Sequence, residues 1–269
     1  MRRAAPLLLF LPLVLAPACD KAPSSSAAGP PAPSNANSAQ VASTGAGVDV
    51  GPPAVDAIHE YTGGATAGDG SPIIVAIHGL GDNPSSFSGL FRGFPAKAHF
   101  VIPAGGLRWG DGFAWWPIQG RIDEKSMADG IAAATERLAG AIPAWRAQVS
   151  GRPIITGFSQ GGMLSFAMAA KHPELVGEAV PVAGLLPASM LPAAWPAGAP
   201  MPRVFALHGD ADTRVPFALG QKAVEGLRAL GLTAELKPYP GVQHTVSAEM
   251  RRDWLAELSA AASRAAGGQ

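Results

Sequence analysis

Short, unbroken apolar runs alternate with longer stretches of helical spacing through most of the chain. Pro72-Ile73-Ile74-Val75-Ala76-Ile77 is the strongest run. It has no polar position to face water, so it predicts a strand buried on both faces. Phe100-Val101-Ile102, Ile154-Ile155-Thr156, Ala179 to Ala183 and Val204 to Leu207 have the same character. Val55 to Tyr61 is a weaker strand candidate, and Ala234 to Tyr239 supplies another. Between the runs, Ser126 to about Ala141 places Ile131, Leu138 and several alanines on one helical face. Met163 to Lys171 predicts a helix stopped by Pro173. Phe217 to Leu230 predicts a further helix, and Ala248 to Ala262 a closing amphipathic one. Continuous apolar strands alternating with helices predict an α/β fold with a mostly parallel central sheet and helices on both faces. Ligands of such sheets bind beyond the carboxyl ends of the strands. The polar clusters of this chain follow strand ends.

The N-terminus follows another pattern. Arg2 and Arg3 precede the apolar run Leu7 to Leu15, then small residues and Cys19. Basic, apolar and small-residue segments in that order predict a signal peptide over residues 1–18. The run is far short of the ~20 residues that span a bilayer. Two cleavages stay open. Ala16-Pro17-Ala18 fits ordinary export, and Ala16-Pro17-Ala18-Cys19 resembles a bacterial lipobox with Cys19 as the lipidated residue. Leu15 lies one position too early for a lipobox and Pro17 is unusual there, yet the chain's one cysteine falls where a lipobox needs it. The lipoprotein reading is therefore favoured. Residues 19–54, dominated by Ala, Pro, Ser and Gly, predict a disordered Cys-anchored tether. Its root-mean-square reach would be ~30–35 Å. Residues 55–265 are left for the folded domain. The expected location is the bacterial cell envelope, with a membrane reached through the lipid on Cys19; a soluble exported protein is the alternative.

Composition narrows the chemistry. The chain has 20 Lys and Arg against 20 Asp and Glu. This balance gives no electrostatic footprint for nucleic acid, which is not an expected partner. A single cysteine excludes an internal disulfide and a cysteine-built metal site.

The densest chemical signal is Gly157-Phe158-Ser159-Gln160-Gly161-Gly162, placed between a strand and a helix. Gly-x-Ser-x-Gly in that context has the form of a nucleophile elbow, a sharp turn presenting a serine hydroxyl. The pentapeptide alone could arise by chance in a chain with 33 glycines, so context carries the weight. Serine needs a base, and the base needs an orienting acid. Of the downstream histidines, His172 sits at a helix end and His208 ends a strand, whereas His244 lies in the loop after the last strand, where a base belongs. The loop His208-Gly209-Asp210-Ala211-Asp212 offers two carboxylates, either of which could serve as acid or as a turn residue. His78-Gly79-Leu80-Gly81-Asp82 follows the strongest strand, with room for a backbone N–H to point into a site.

These segments, with Val215-Pro216 and Gly241-Val242-Gln243-His244, resemble in order and spacing the phospholipase/carboxylesterase family of α/β-hydrolases, which includes acyl-protein thioesterases. The resemblance spans about residues 70 to 260. It implies Ser159 as nucleophile, Asp212 as acid, His244 as base, and the Leu80 and Gln160 N–H groups as oxyanion donors. It also implies cofactor-free hydrolysis of small-molecule carboxylic esters, with thioesters and lysophospholipids as further substrates. The export signal, the tether and the aromatic segment Leu107 to Ile118 depart from the cytosolic thioesterases. Trp109, Phe113, Trp115 and Trp116 lie in that segment, and Trp115 and Trp116 are candidate substrate contacts. An exported feruloyl-esterase- or depolymerase-like enzyme is the alternative. From another class, a lipid-anchored binding protein on an inactive hydrolase scaffold is the competing reading.

Overall fold

A computed structural model describes residues 55–118, 123–147, 149 and 151–267. The leader, Cys19 and the tether expected over residues 1–54 lie outside the described residues. In chain order the strands are β1 (Ala57–Thr62), β2 (Ile73–Ile77), β3 (Ala98–Pro103), β4 (Leu107–Trp109), β5 (Gly112–Ala114), β6 (Ile154–Phe158), β7 (Glu178–Val182), β8 (Arg203–Gly209) and β9 (Ala234–Tyr239). Seven of them form one sheet in the order β1-β3-β2-β6-β7-β8-β9, while β4 and β5 form a separate hairpin. β1 runs antiparallel to β3, and the pairs from β3 through β9 are parallel. The expected mostly parallel sheet is what the chain forms.

Helices α1 (Pro84–Ser88), α2 (Glu124–Trp145), α3 (Gln160–Lys171), α4 (Phe217–Ala229) and α5 (Ala248–Gly267) cover both faces. Side chains alternate across a strand. Accordingly Ile73, Val75 and Ile77 of β2 join one core with residues of α2, α3 and α4. Ile74 and Ala76 join the other, with Phe87 of α1 and Trp254 of α5. The chain lays β3 to one side of β2 and then crosses to place β6 on the other. This reversal opens a crevice beyond the ends of β2 and β6, the location at which doubly covered sheets bind ligands.

Three departures from the sequence expectation bear on the architecture. α2 begins at Glu124, where the Asp123 carboxylate accepts the Ser126 N–H at 2.7 Å. It also runs past Pro143 to Trp145, because a proline in the last turn forfeits one bond without ending the helix. α5 continues beyond Ala262 to Gly267. Arg264 secures that extension by a two-pronged pair with Glu178, at 2.6 and 2.7 Å. The aromatic segment is not simply a loop: Leu107–Trp109 and Gly112–Ala114 pair across a turn at Gly110, whose φ is 57°.

Candidate active site

Ser159 joins β6 to α3 with φ 58° and ψ −115°. Non-glycine residues avoid this region, and holding one there costs ~1–3 kcal/mol. The fold holds it by donating the Ser159 N–H to Val182 O at 3.0 Å and by seating α3 tightly on the sheet. A Cβ on Gly161 would collide with the Ile77 carbonyl, and one on Gly162 with the Val182 carbonyl. A Cβ on Gly157 would lie 2.6 Å from the Gly161 carbonyl carbon. The glycines thus let the helix start directly against β2 and β7.

The loops after β8 and β9 bring two further residues to Ser159. His244 Nε2 lies 2.9 Å from Ser159 Oγ, and His244 Nδ1 lies 2.7 Å from Asp212 Oδ2. A carboxylate can only accept, so the proton on His244 sits on Nδ1, and Nε2 is left to accept from the serine hydroxyl. The Asp212 side chain has no exposure to solvent. Its Oδ1 accepts the N–H groups of Arg214 and Val215, each at 2.9 Å. Burial works against its charge. Hydrogen bonding from His208, His244 and the Val215 N–H outweighs burial and holds the carboxyl well below the usual range. His208 is buried beneath this loop, with Nε2 2.8 Å from Val215 O. Asp210 differs from Asp212: its Oδ1 accepts the Gly241 N–H at 2.7 Å and ties the β8 loop to the loop carrying His244. His172 stands at the C-terminal end of α3, against Glu136 and Glu174.

Gly79, Leu80 and Gln160 share a cavity of about 270 Å³ with Ser159 and His244. Among the described residues, the backbone N–H of neither Leu80 nor Gln160 is bonded to a backbone carbonyl outside the helices and strands. Gln160 also opens α3, so the positive end of that helix faces the cavity. The Leu80 loop is fixed from below. Buried His78 donates from Nδ1 to Gly79 O at 2.7 Å and accepts the Gly105 N–H on Nε2 at 3.0 Å. Burial lowers its pKa, and only the neutral ring can make this donor–acceptor pair.

The two tryptophans separate. Trp116 lines the cavity. Trp115 does not; it is 2% exposed and its indole N–H donates to His78 O at 3.0 Å. Its expected role as a substrate contact is corrected to support of the Leu80 loop. The backbone of this segment is held by side chains whose part the sequence did not reveal. Gln160 Oε1 accepts the Trp115 N–H at 3.0 Å, and Arg137 from α2 donates to Trp115 O at 2.7 Å. These partners lie 22 to 45 residues apart in sequence, and no local motif links them. Among the described residues, no group of three or more His, Cys, Asp or Glu side chains converges as metal ligands.

A parallel sheet of this order, with a strained serine between β6 and α3 and a histidine delivered after the last strand, defines an α/β-hydrolase. More narrowly, the chain belongs to the phospholipase/carboxylesterase family, whose model matches residues 65–260. It is 35% identical over 94 residues to carboxylesterase SOBER1 of Arabidopsis thaliana, covering 35% of this chain and 41% of that relative. The chain thus spans about two fifths of the length of that curated relative. It is 30% identical over 215 residues to acyl-protein thioesterase 1 of Debaryomyces hansenii, covering 70% of this chain and 90% of the relative. The crystal structure of esterase PE8 superposes with a TM-score of 0.65 at 25% identity, covering 76% of this chain and 98% of that one.

Proposed function

We propose that the protein is a serine hydrolase that cleaves carboxylic esters through an acyl-enzyme on Ser159. The observation that carries this reading is the bond sequence Asp212–His244–Ser159, at 2.7 and 2.9 Å. In the first half-reaction Ser159 Oγ attacks the ester carbonyl carbon while its proton passes to His244 Nε2. The carbonyl oxygen takes up negative charge, which the Leu80 and Gln160 N–H groups would stabilise. The C–O bond to the leaving group then breaks, and His244 returns the proton to the departing alcohol. In the second half-reaction water gives a proton to His244 Nε2 and attacks the acyl carbon; the bond to Ser159 Oγ then breaks, His244 returns the proton to that oxygen, and the acid leaves. Asp212 stays ionised throughout and stabilises the imidazolium. A thiol can leave by the same route, and the likeness to an acyl-protein thioesterase supports testing thioesters too.

The direct test replaces Ser159 with Ala and follows hydrolysis of p-nitrophenyl butyrate. Turnover should fall ~10⁴-fold with the melting temperature nearly unchanged. Near-normal turnover would defeat the reading.

Export and anchoring through Cys19 complete the proposal. The basic and apolar leader and the position of the one cysteine support it. No helix among the described residues is long and apolar enough to cross a membrane, and in this proposal attachment rests on the lipid. Mass spectrometry of the mature N-terminus should find Cys19 first and acylated. An unmodified terminus at Cys19 or beyond it would leave the hydrolase reading standing and remove the anchor.

A further inference from the structure

Arg214 stands in the wall of the cavity and carries a positive charge that the hydrolytic chemistry does not use. It lines the same cavity as Ser159 and His244. Its own N–H and that of Val215 are both fixed on Asp212 Oδ1 at 2.9 Å. The backbone that carries the guanidinium is therefore held by the residue that orients His244. The side chain itself is exposed. Among the described residues no carboxylate lies within 4.0 Å of it. The rest of the cavity wall is mostly apolar, from Leu80, Trp116, Ile118, Met127, Met163 and Val215. Asp82 also lines the cavity, and its Oδ1 accepts the Asn83 N–H at 2.8 Å. It forms no ion pair with Arg214 within that distance.

A guanidinium without a carboxylate partner at an apolar site is suited to a carboxylate or phosphate, which it can bind with two parallel N–H donors. We infer that Arg214 is a specificity residue, and that the preferred substrate is a small ester bearing an anionic group as well as its apolar part. This inference rests on the ester-hydrolase reading and deepens it by naming the substrate class. The anion could sit on the acyl side or on the leaving group. Both present the same chemistry to Arg214.

Two matched pairs of esters separate these sources. The acyl arm compares p-nitrophenyl hemisuccinate with p-nitrophenyl butyrate. The leaving-group arm compares 4-carboxyphenyl butyrate with 4-carbamoylphenyl butyrate. Within one pair, kcat/KM for the anionic ester should exceed that for the neutral one. Arg214→Met keeps the stem and the backbone N–H that holds Asp212 but removes the charge. It should lower the anionic-to-neutral ratio ~10-fold or more, mainly through KM. Arg214→Lys should retain part of the preference, and Arg214→Glu should reverse it. Raising the salt to about 1 M should narrow the wild-type ratio, because an exposed charge is screened. If both neutral esters are turned over but neither ratio responds to any of the three substitutions, the inference is overturned and the hydrolase reading stands. If the wild-type protein hydrolyses none of the four esters, the hydrolase reading fails and takes the inference with it.

Discussion

Two aspartates two positions apart illustrate how much a single side chain's partners decide. The Asp212 side chain has no solvent exposure and is bonded to His244, whereas Asp210 holds the Gly241 N–H. Asp212→Asn should lower kcat ~10⁴-fold, because an amide in that place favours the wrong imidazole tautomer. Asp210→Asn should cost far less, acting through the fastening of the His244 loop. Steady-state kinetics on both variants checks this, and a reversed ranking would reassign the acid. The depressed pKa of Asp212 also bears on stability. A carboxyl lowered on folding contributes stability that is fully present above its unfolded value of ~3.9 and is lost as pH falls through its lower folded value. Acidification to pH 5 should therefore leave that contribution intact. Ser159, His244 and the two aspartates could all be singled out in the sequence as candidates, because each follows a recognisable strand end. The choice of Asp212 came from family resemblance. The supporting parts of His78, the Gln160 side chain and Arg137 were not legible, since each acts on a segment distant in sequence.

At the scale of elements, the β6–α3 junction is the tightest constraint. The flanking glycines of the elbow have a steric reason, since side chains there would collide with neighbouring elements, and the structure identifies the obstacle for Gly161 as the Ile77 carbonyl of β2. Gly161→Ala should therefore destabilise the domain by ~1–3 kcal/mol, the range for overpacking. That corresponds to a fall in melting temperature of roughly 2–12 °C for a domain of this size. Gly89→Ala is the control: a Cβ there meets nothing within 4 Å. Equal melting temperatures for the two variants would contradict the packing account. Long apolar strands were the most legible elements, since burial on both faces leaves a continuous run. The β4–β5 hairpin was not, because strands of three residues carry too little alternation to register. The splitting of its neighbours Trp115 and Trp116 between support and cavity depends on tertiary contacts that no local pattern encodes.

Taken as a whole, the molecule arranges four loops, after β2, β6, β8 and β9, around one cavity, and the loop after β8 both brings Asp212 to His244 and adds Arg214 and Val215 to the wall. This convergence follows from strand order: β2 and β6 are neighbours in the sheet although α1, β3, the β4–β5 hairpin and α2 all lie between them in the chain. The alternation of strands and helices made the sheet and its covered faces legible. The rule that ligands bind beyond strand ends also gave the place of the cavity. The central claim is that Ser159 is the nucleophile, activated by His244. It is tested most directly by treating the protein with a fluorophosphonate and mapping the adduct by peptide mass spectrometry. One adduct per chain should form, on the peptide that contains Ser159, and His244→Ala should greatly slow its formation. Failure of the wild-type protein to label, or an adduct on any residue other than Ser159, would contradict the account.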